Sequence, residues 1–225
     1  MTALGDVLRA GDRIWVAGSA NEPTGLLQAL AETSLPGELK FIQFPLGGYN
    51  QTDFTAWSET ARFETFFMTP HLKTADPDRL DFQPMQMRMV YEYLKTDVDV
   101  VLIQAARDRE GRLRIGPNVD FAEAALAAAD RIAIEVNGSF TAAAGAPLLD
   151  TGRVVYTLET DRPLYQMAPP QVDDVASAIG REVAQLIHDG DCLQTGIGSI
   201  PAAILGELGD HNDLGMHGGL IDDGG

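Results

Sequence analysis

Residues 11–23 read Gly11-Asp12-Arg13-Ile14-Trp15-Val16-Ala17-Gly18-Ser19-Ala20-Asn21-Glu22-Pro23. Residues 190–201 repeat the plan as Gly190-Asp191-Cys192-Leu193-Gln194-Thr195-Gly196-Ile197-Gly198-Ser199-Ile200-Pro201. In both stretches a Gly stands five residues before the Pro, and Leu follows the Pro at the fourth and seventh positions (Leu27 and Leu30, Leu205 and Leu208). A short apolar run predicts a strand, the small residues a loop, and the Pro the first turn of an amphipathic helix. Strand, glycine loop and helix together turn backbone N–H groups toward a ligand oxygen. Two copies predict two related α/β units, or one unit and the opening of a second.

Working outward, Leu39–Phe44, Val98–Gln104 and Ile132–Val136 read as strands, the last two buried because their apolar runs are nearly continuous. Residues 2–9, 23–32, 85–95 and 121–129 read as helices, and 53–66 as a mixed, moderately helical stretch before a short strand at 66–68. Met85, Met89 and Tyr93 share helical spacing and read as core. Residues 141–145 begin a looser region, and Tyr165–Pro170 is the candidate linker. Beyond it, 172–187 reads as an amphipathic helix with Val175, Ile179, Val183 and Leu186 inside and Asp173 and Asp174 in its first turn. Alternating strands and helices imply an α/β fold, a mostly parallel sheet with helices on both faces. We place a first domain at 1–168 and the beginning of a second at 172–225, its remainder absent from this chain.

The chain has 225 residues, 45% of them hydrophobic and 22% charged, enough for a sizeable core. A formal net charge of −17 argues against nucleic acid, whose phosphates need a basic face. No apolar run is long enough for a membrane span, and residues 1–10 lack a signal-peptide core, so a cytoplasmic protein is expected. Cys192 is the one cysteine and reads as an apolar filler in a strand. The four histidines share no ligand spacing, so no metal site is expected. Arg107, Arg109, Arg112 and Arg114 form the dense basic stretch, read as a solvated turn. They are also the sole support for a sugar-phosphate-isomerase-like anion site.

The order Gly18-Ser19…Pro23, Phe66-Phe67-Met68-Thr69-Pro70, Glu135-Val136-Asn137, Gly196-Ile197-Gly198-Ser199-Ile200-Pro201 and Asp210-His211…Asp213-Leu214-Gly215-Met216-His217 resembles the acetyl-CoA hydrolase/transferase family. These are class I CoA-transferases, including the 4-hydroxybutyrate and butyryl-CoA:acetate types. The resemblance runs over the whole chain and is most specific over 180–217. It implies two similar α/β domains and an acyl-CoA substrate, with coenzyme A as co-substrate and no permanently bound cofactor. It also implies a ping-pong route through an acyl-glutamyl anhydride and a glutamyl-CoA thioester, with loop amides holding the oxyanion.

The resemblance breaks at the residue that matters most. The family follows this His with Thr-Glu-Met, and the Glu is the nucleophile. Here His217 is followed by Gly218-Gly219-Leu220, so Gly219 stands where that Glu is expected. An Arg often found after the Phe-Phe segment has its counterpart in Lys73, and Gly138–Gly145 carries no cation after Glu135-Val136-Asn137. The surviving candidates for chemistry are Glu135, as general base or as acceptor for backbone amides, His217, and Asp222 beside Asp223. Gly196, Gly198, Ser199 and Ile200 are the candidates to hold the thioester or the pantetheine arm, with Gly18 and Ser19 as their first-copy counterparts. The expectation is an acyl-CoA hydrolase or C–C or thioester-cleaving variant. The alternative is a non-catalytic or partner-dependent subunit of a hetero-oligomer. A homo-oligomer, or a second chain supplying the rest of domain two, is the expected assembly.

Overall fold

The computed structural model describes residues 4–221, in two compact units, Met1–Met167 and Ala168–Gly225. In the first, the apolar runs form a sheet of β1 (Arg13–Val16), β2 (Lys40–Gln43), β3 (Arg62–Thr65), β4 (Leu80–Phe82), β5 (Val100–Arg107), β6 (Leu113–Ile115), β7 (Arg131–Asn137) and β8 (Val154–Thr160). The order is β4-β3-β2-β1-β5-β7-β8, all parallel, with β6 folded back antiparallel onto the end of β5. The order reverses between β1 and β5. In parallel α/β sheets ligands bind outside the carboxyl ends of the strands at such a reversal.

Helices cover both faces. On one, α1 (Thr24–Ala31) buries Leu26, Leu27 and Leu30 against Ile14, Val16, Phe41 and Leu102. Each of these leucines is at most 4% exposed, and full burial of such a side chain contributes about 2 kcal/mol. On the other, α2 (Met87–Leu94) and α3 (Ala122–Ala128) cover Trp15, Ile42, Val101, Ile103 and Ile134.

Several local readings change. Residues 53–66 are not helical: a 3-10 turn at Phe54–Trp57 leads into β3, and 66–68 lie past the strand. Phe63 packs edge-on to Phe54, so tertiary contacts override the weak helical pattern. Val90 and Leu94 are the buried face of α2; of the expected stripe Met85 and Tyr93 pack half-buried against the core, whereas Met89 is 55% exposed and does not. The looser region contains β8, whose alternating half-buried and exposed residues mark an edge strand. The basic stretch is the β5–β6 hairpin, and Asp108 closes it by accepting from Arg112 Nε at 2.9 Å and Arg114 Nε at 2.6 Å. Burial opposes ionisation of Asp108, but the hydrogen bonds from Arg114 and Arg112 prevail and hold its carboxyl well below the usual range. Arg112 and Arg114 are thereby committed to holding the turn together.

The second unit has α4 (Asp174–Ala184), β9 (Cys192–Leu193), α5 (Ser199–Gly206) and β10 (Gly215–Met216), with β9 and β10 parallel. Asp173 caps α4 by accepting from Ala176 N at 2.7 Å. Its buried face is Ala176 and Gly180, while Val175 is 68% and Leu186 75% exposed. The helix is turned by about one residue from the apolar stripe because Gly180 approaches Ala203 of α5 closely. A Cβ on Gly180 would lie 2.8 Å from the Ala203 carbonyl oxygen.

Candidate functional site

In the first unit the glycine loop lies at the β1/β5 reversal. Gly18 is required by close approach, since a Cβ there would stand 2.2 Å from the Phe44 carbonyl oxygen. Ser19 has φ 51°, a left-handed backbone that side chains other than Gly rarely adopt. Asn50 holds it there: Ser19 N donates to Asn50 Oδ1 at 2.7 Å, and Asn50 Nδ2 donates to the Ser19 carbonyl at 3.2 Å. Leu46 N donates to the same Oδ1 at 2.9 Å, so one buried Asn ties the loops after β1 and β2 together.

Behind the loop lies a chain of buried polar groups. Glu135, on β7, is 0% exposed. Its Oε2 accepts from Leu26 N at 3.0 Å, and its Oε1 accepts from Thr160 Oγ1 at 2.9 Å and Arg162 Nε at 2.5 Å. Pro23 at the start of α1 offers no side-chain cap, so Glu135 satisfies an N–H of the first turn from across the sheet. Gly25 permits the approach, because a Cβ there would sit 3.0 Å from Glu135 Oε1.

Arg162, beyond β8, is the hub. Its Nη2 donates to the Glu22 carbonyl at 2.9 Å and to Gln104 Oε1 at 2.8 Å. Asn137 Nδ2 donates to Gln104 Oε1 at 3.0 Å. Gln43 Nε2 donates to Glu22 Oε1 at 2.9 Å. Burial pushes the Glu22 carboxyl up to about 7, although the Gln43 and Asn50 amides and the Arg162 charge favour its ionised form. Glu22, Ser19, Tyr49, Arg162 and Tyr165 line a cleft of about 350 Å³, with the Tyr49 and Tyr165 rings 5.3 Å apart.

The sequence reading missed Glu22, Gln43, Asn50, Gln104 and Arg162. The available signal was polar residues ending apolar strands: Gln43 ends β2, and Gln104 and Asn137 lie toward the ends of β5 and β7. Arg162 had no local signal, because its partners lie 27, 58 and 140 residues away.

In the second unit, Gly196 and Gly198 lie between β9 and α5, and Ser199 and Ile200 open α5. A Cβ on Gly196 or Gly198 would meet nothing within 4 Å, so this loop is open. Gly198 has φ 131° and ψ −178°, a conformation open essentially to glycine alone. His217 and Gly219 follow β10, the neighbouring strand. His217 N donates to the Leu193 carbonyl at 2.8 Å, and its side chain is exposed. A Cβ on Gly218 would lie 3.9 Å from the Thr195 carbonyl, so the two strand ends present the loop and His217–Gly219 side by side. Gly219 is exposed, with open space around its Cβ position. Lys73 is exposed, in a 3-10 turn at Pro70–Thr74. Asp222 and Asp223 lie outside the described residues. Among the described residues no three His, Cys, Asp or Glu side chains converge to hold a metal, and no helix is long and apolar enough to cross a membrane.

Residues 3–147 match the model of the acetyl-CoA hydrolase/transferase N-terminal domain. The 4-hydroxybutyrate coenzyme A transferase of Clostridium kluyveri is 29% identical over 219 residues, covering 94% of this chain and 51% of that protein. The chain spans about half the length of the curated relatives it matches. The structure of a 4-hydroxybutyrate CoA-transferase from Porphyromonas gingivalis superposes with a TM-score of 0.73 at 26% identity, over 97% of this chain and 52% of that one. RipA from Yersinia pestis gives a TM-score of 0.86 at 23% identity, over 99% of this chain and 56% of that one, a likeness of fold.

Proposed function

Since the chain belongs to the acetyl-CoA hydrolase/transferase family, we propose that it acts on acyl-CoA thioesters by a route that does not pass through a carboxylate at position 219. One observation carries the reading: β9 and β10 bring an open glycine loop beside His217 and Gly219. The loop amides of 196–199 face the thioester oxygen and stabilise it as charge develops there. Gly219 offers no nucleophile, so water adds to the carbonyl, with His217 taking its proton. The C–S bond then breaks, and the coenzyme A thiolate leaves and collects a proton. Glu135 has no chemical step in this scheme, because its carboxylate is fully buried and already accepts three hydrogen bonds within the first unit. Gly18 and Ser19 shape the first-unit loop.

The test is intact-mass analysis after incubation with acetyl-CoA and borohydride, alongside an assay for released thiol. Thiol release with no covalent adduct on the wild type, and an adduct on Gly219→Glu, is the expected pattern. A wild-type adduct on another carboxylate would overturn the hydrolytic route.

A second reading has an observation of its own. In the second unit only Ala176, Gly180, Ala203 and Leu208 are buried among the described residues, while Val175, Leu186, Ile197 and Ile200 are exposed. Uncovered apolar side chains of this density favour a subunit that works against a partner polypeptide. Light scattering on the purified chain separates the two: a stable monomer that releases thiol rules the second out.

A further inference from the structure

The second-unit site has loop amides for an oxyanion and an imidazole for a proton, but it contributes no nucleophile. Gly219 has no side chain, and a Cβ there would meet nothing within 4 Å among the described residues. Its backbone does not demand glycine either, since Gly190 and Gly198 have a left-handed φ and Gly219 does not. The position therefore keeps room that a side chain could fill. Its neighbour Gly218 stands against the loop, where a Cβ would lie 3.9 Å from the Thr195 carbonyl oxygen and 4.0 Å from Gln194 Cγ. Ile197 of the loop is 49% exposed and offers apolar surface to a short alkyl chain. Charge bears on what the room can take. In residues 168–221 Arg181 of α4 is the one Arg or Lys, and neither 194–200 nor 215–219 carries one. A carboxylate brought here is not locked by a guanidinium or ammonium of these stretches, so an oxygen lone pair stays free to attack.

We propose that the room at Gly219 receives the far carboxylate of a dicarboxylic acyl-CoA, of the succinyl thioester class, and that this carboxylate supplies the nucleophile the chain lacks. The proposal rests on the acyl-CoA reading of the same site and specifies its substrate. One carboxylate oxygen gives its electron pair to the thioester carbon, and the carbonyl π pair moves onto oxygen, where the loop amides hold it. The C=O then re-forms, the C–S pair leaves with sulfur, and the coenzyme A thiolate takes a proton from solvent. The acyl part is now a five-membered cyclic anhydride. Water adds to one of its carbonyls, His217 takes the water proton, and the ring C–O bond breaks. The free dicarboxylic acid departs, and His217 returns its proton to solvent. Both reacting groups lie on one molecule, so the first step has the effective concentration of an intramolecular reaction and outruns direct attack by water. Two methylenes between the carbonyls close a five-membered ring, and one more or one fewer aligns the groups less well.

The experiment compares thiol release by the full chain from succinyl-CoA, glutaryl-CoA, acetyl-CoA and the methyl ester of succinyl-CoA, each corrected for its enzyme-free rate. Succinyl-CoA is expected to react about a hundredfold faster than its methyl ester, which keeps the size and removes the nucleophile, and faster than glutaryl-CoA. Succinyl-CoA carrying 13C at the thioester carbon is then turned over in 18O-labelled water, and the product is read by 13C NMR and mass spectrometry. Passage through the symmetrical anhydride puts 18O on both carboxyls, whereas direct hydrolysis puts it on the 13C carboxyl alone. Gly219→Val, which fills the room, is expected to lose the preference for succinyl-CoA over the methyl ester while circular dichroism shows it folded. If Gly219→Val does not fold, the labelling result decides alone. Equal rates with succinyl-CoA and its methyl ester, 18O confined to the 13C carboxyl, an undiminished preference in folded Gly219→Val, or no enzyme-dependent release from succinyl-CoA would each overturn the proposal. A chain that releases thiol from acetyl-CoA and the methyl ester as fast as from succinyl-CoA keeps the acyl-CoA reading and loses this one. Release from none of the four loses both.

Discussion

The two glycine loops are spelled alike and built for different reasons. At Gly18 the side chain is excluded by a neighbouring strand, the next residue is forced to φ 51°, and Asn50 clamps the turn from outside. The helix behind it buries three leucines. At Gly196–Gly198 nothing crowds the backbone, no side chain caps α5, and of that helix only Ala203 is buried. The first loop is a packing device with a polar cluster behind it. The second is an accessible loop whose glycines keep the backbone open and, at Gly198, permit one torsion. Equal motifs therefore do not imply equal surroundings: Gly18 is hemmed in by a neighbouring strand, and Gly196 and Gly198 are not.

The contrast can be tested by substitution, beginning with the largest effect. Arg162→Met leaves Glu135 charged and buried without its cation, and a broken buried pair of this kind costs about 3–5 kcal/mol. Urea unfolding is expected to show that loss, and an unchanged midpoint would show the hub to be dispensable. Gly18→Ala comes next. Its Cβ would collide with the Phe44 carbonyl, at a cost of about 1–3 kcal/mol in strain and displaced backbone, whereas Gly196→Ala stays within about 0.5 kcal/mol of wild type. Equal losses at the two sites would break the comparison.

Glu22→Gln gives a change that depends on pH. Because the folded protein holds this carboxyl at about 7, above its ordinary 4.5, the neutral form is favoured on folding. Its stabilising contribution is complete below pH 4.5 and is lost as pH rises to about 7. Glu22→Gln is therefore expected to match wild type near pH 4.5 and exceed it by up to about 3 kcal/mol at pH 8, read as a higher Tm. The smallest effect belongs to Asn50→Ala. Losing one clamp on Ser19 costs about 1 kcal/mol, and the accompanying gain in amide exchange is expected at residues 18–22 and not at 195–199.

The strands β1, β2, β5 and β7 were legible because buried parallel strands are apolar on both faces and announce themselves as runs. β8 and β3 were not. Thr157 and Glu159 face solvent on an edge strand, and Phe63 is held in its strand by edge-on packing against Phe54 from the preceding turn. The face of α4 was misjudged because spacing identifies an apolar stripe, while the buried side is chosen by how closely Gly180 lets α5 approach. At the site, the glycine loops and the strand end at Glu135 could be read directly. The partners of Glu135 could not, since hydrogen bonds spanning 25 to 109 residues leave no local pattern.

The sequence by itself determined the family, the alternation that makes a parallel α/β sheet, the two glycine loops and the glycine at 219. These are matters of residue type and short-range order. Only the tertiary structure decided that Glu135 caps a helix across the sheet, that Arg162 gathers Glu22, Gln104 and Glu135 into one cluster, and that one glycine loop is closed while the other is open. Charge, burial and steric room belong to neighbours in space, and chain folding alone chooses those neighbours.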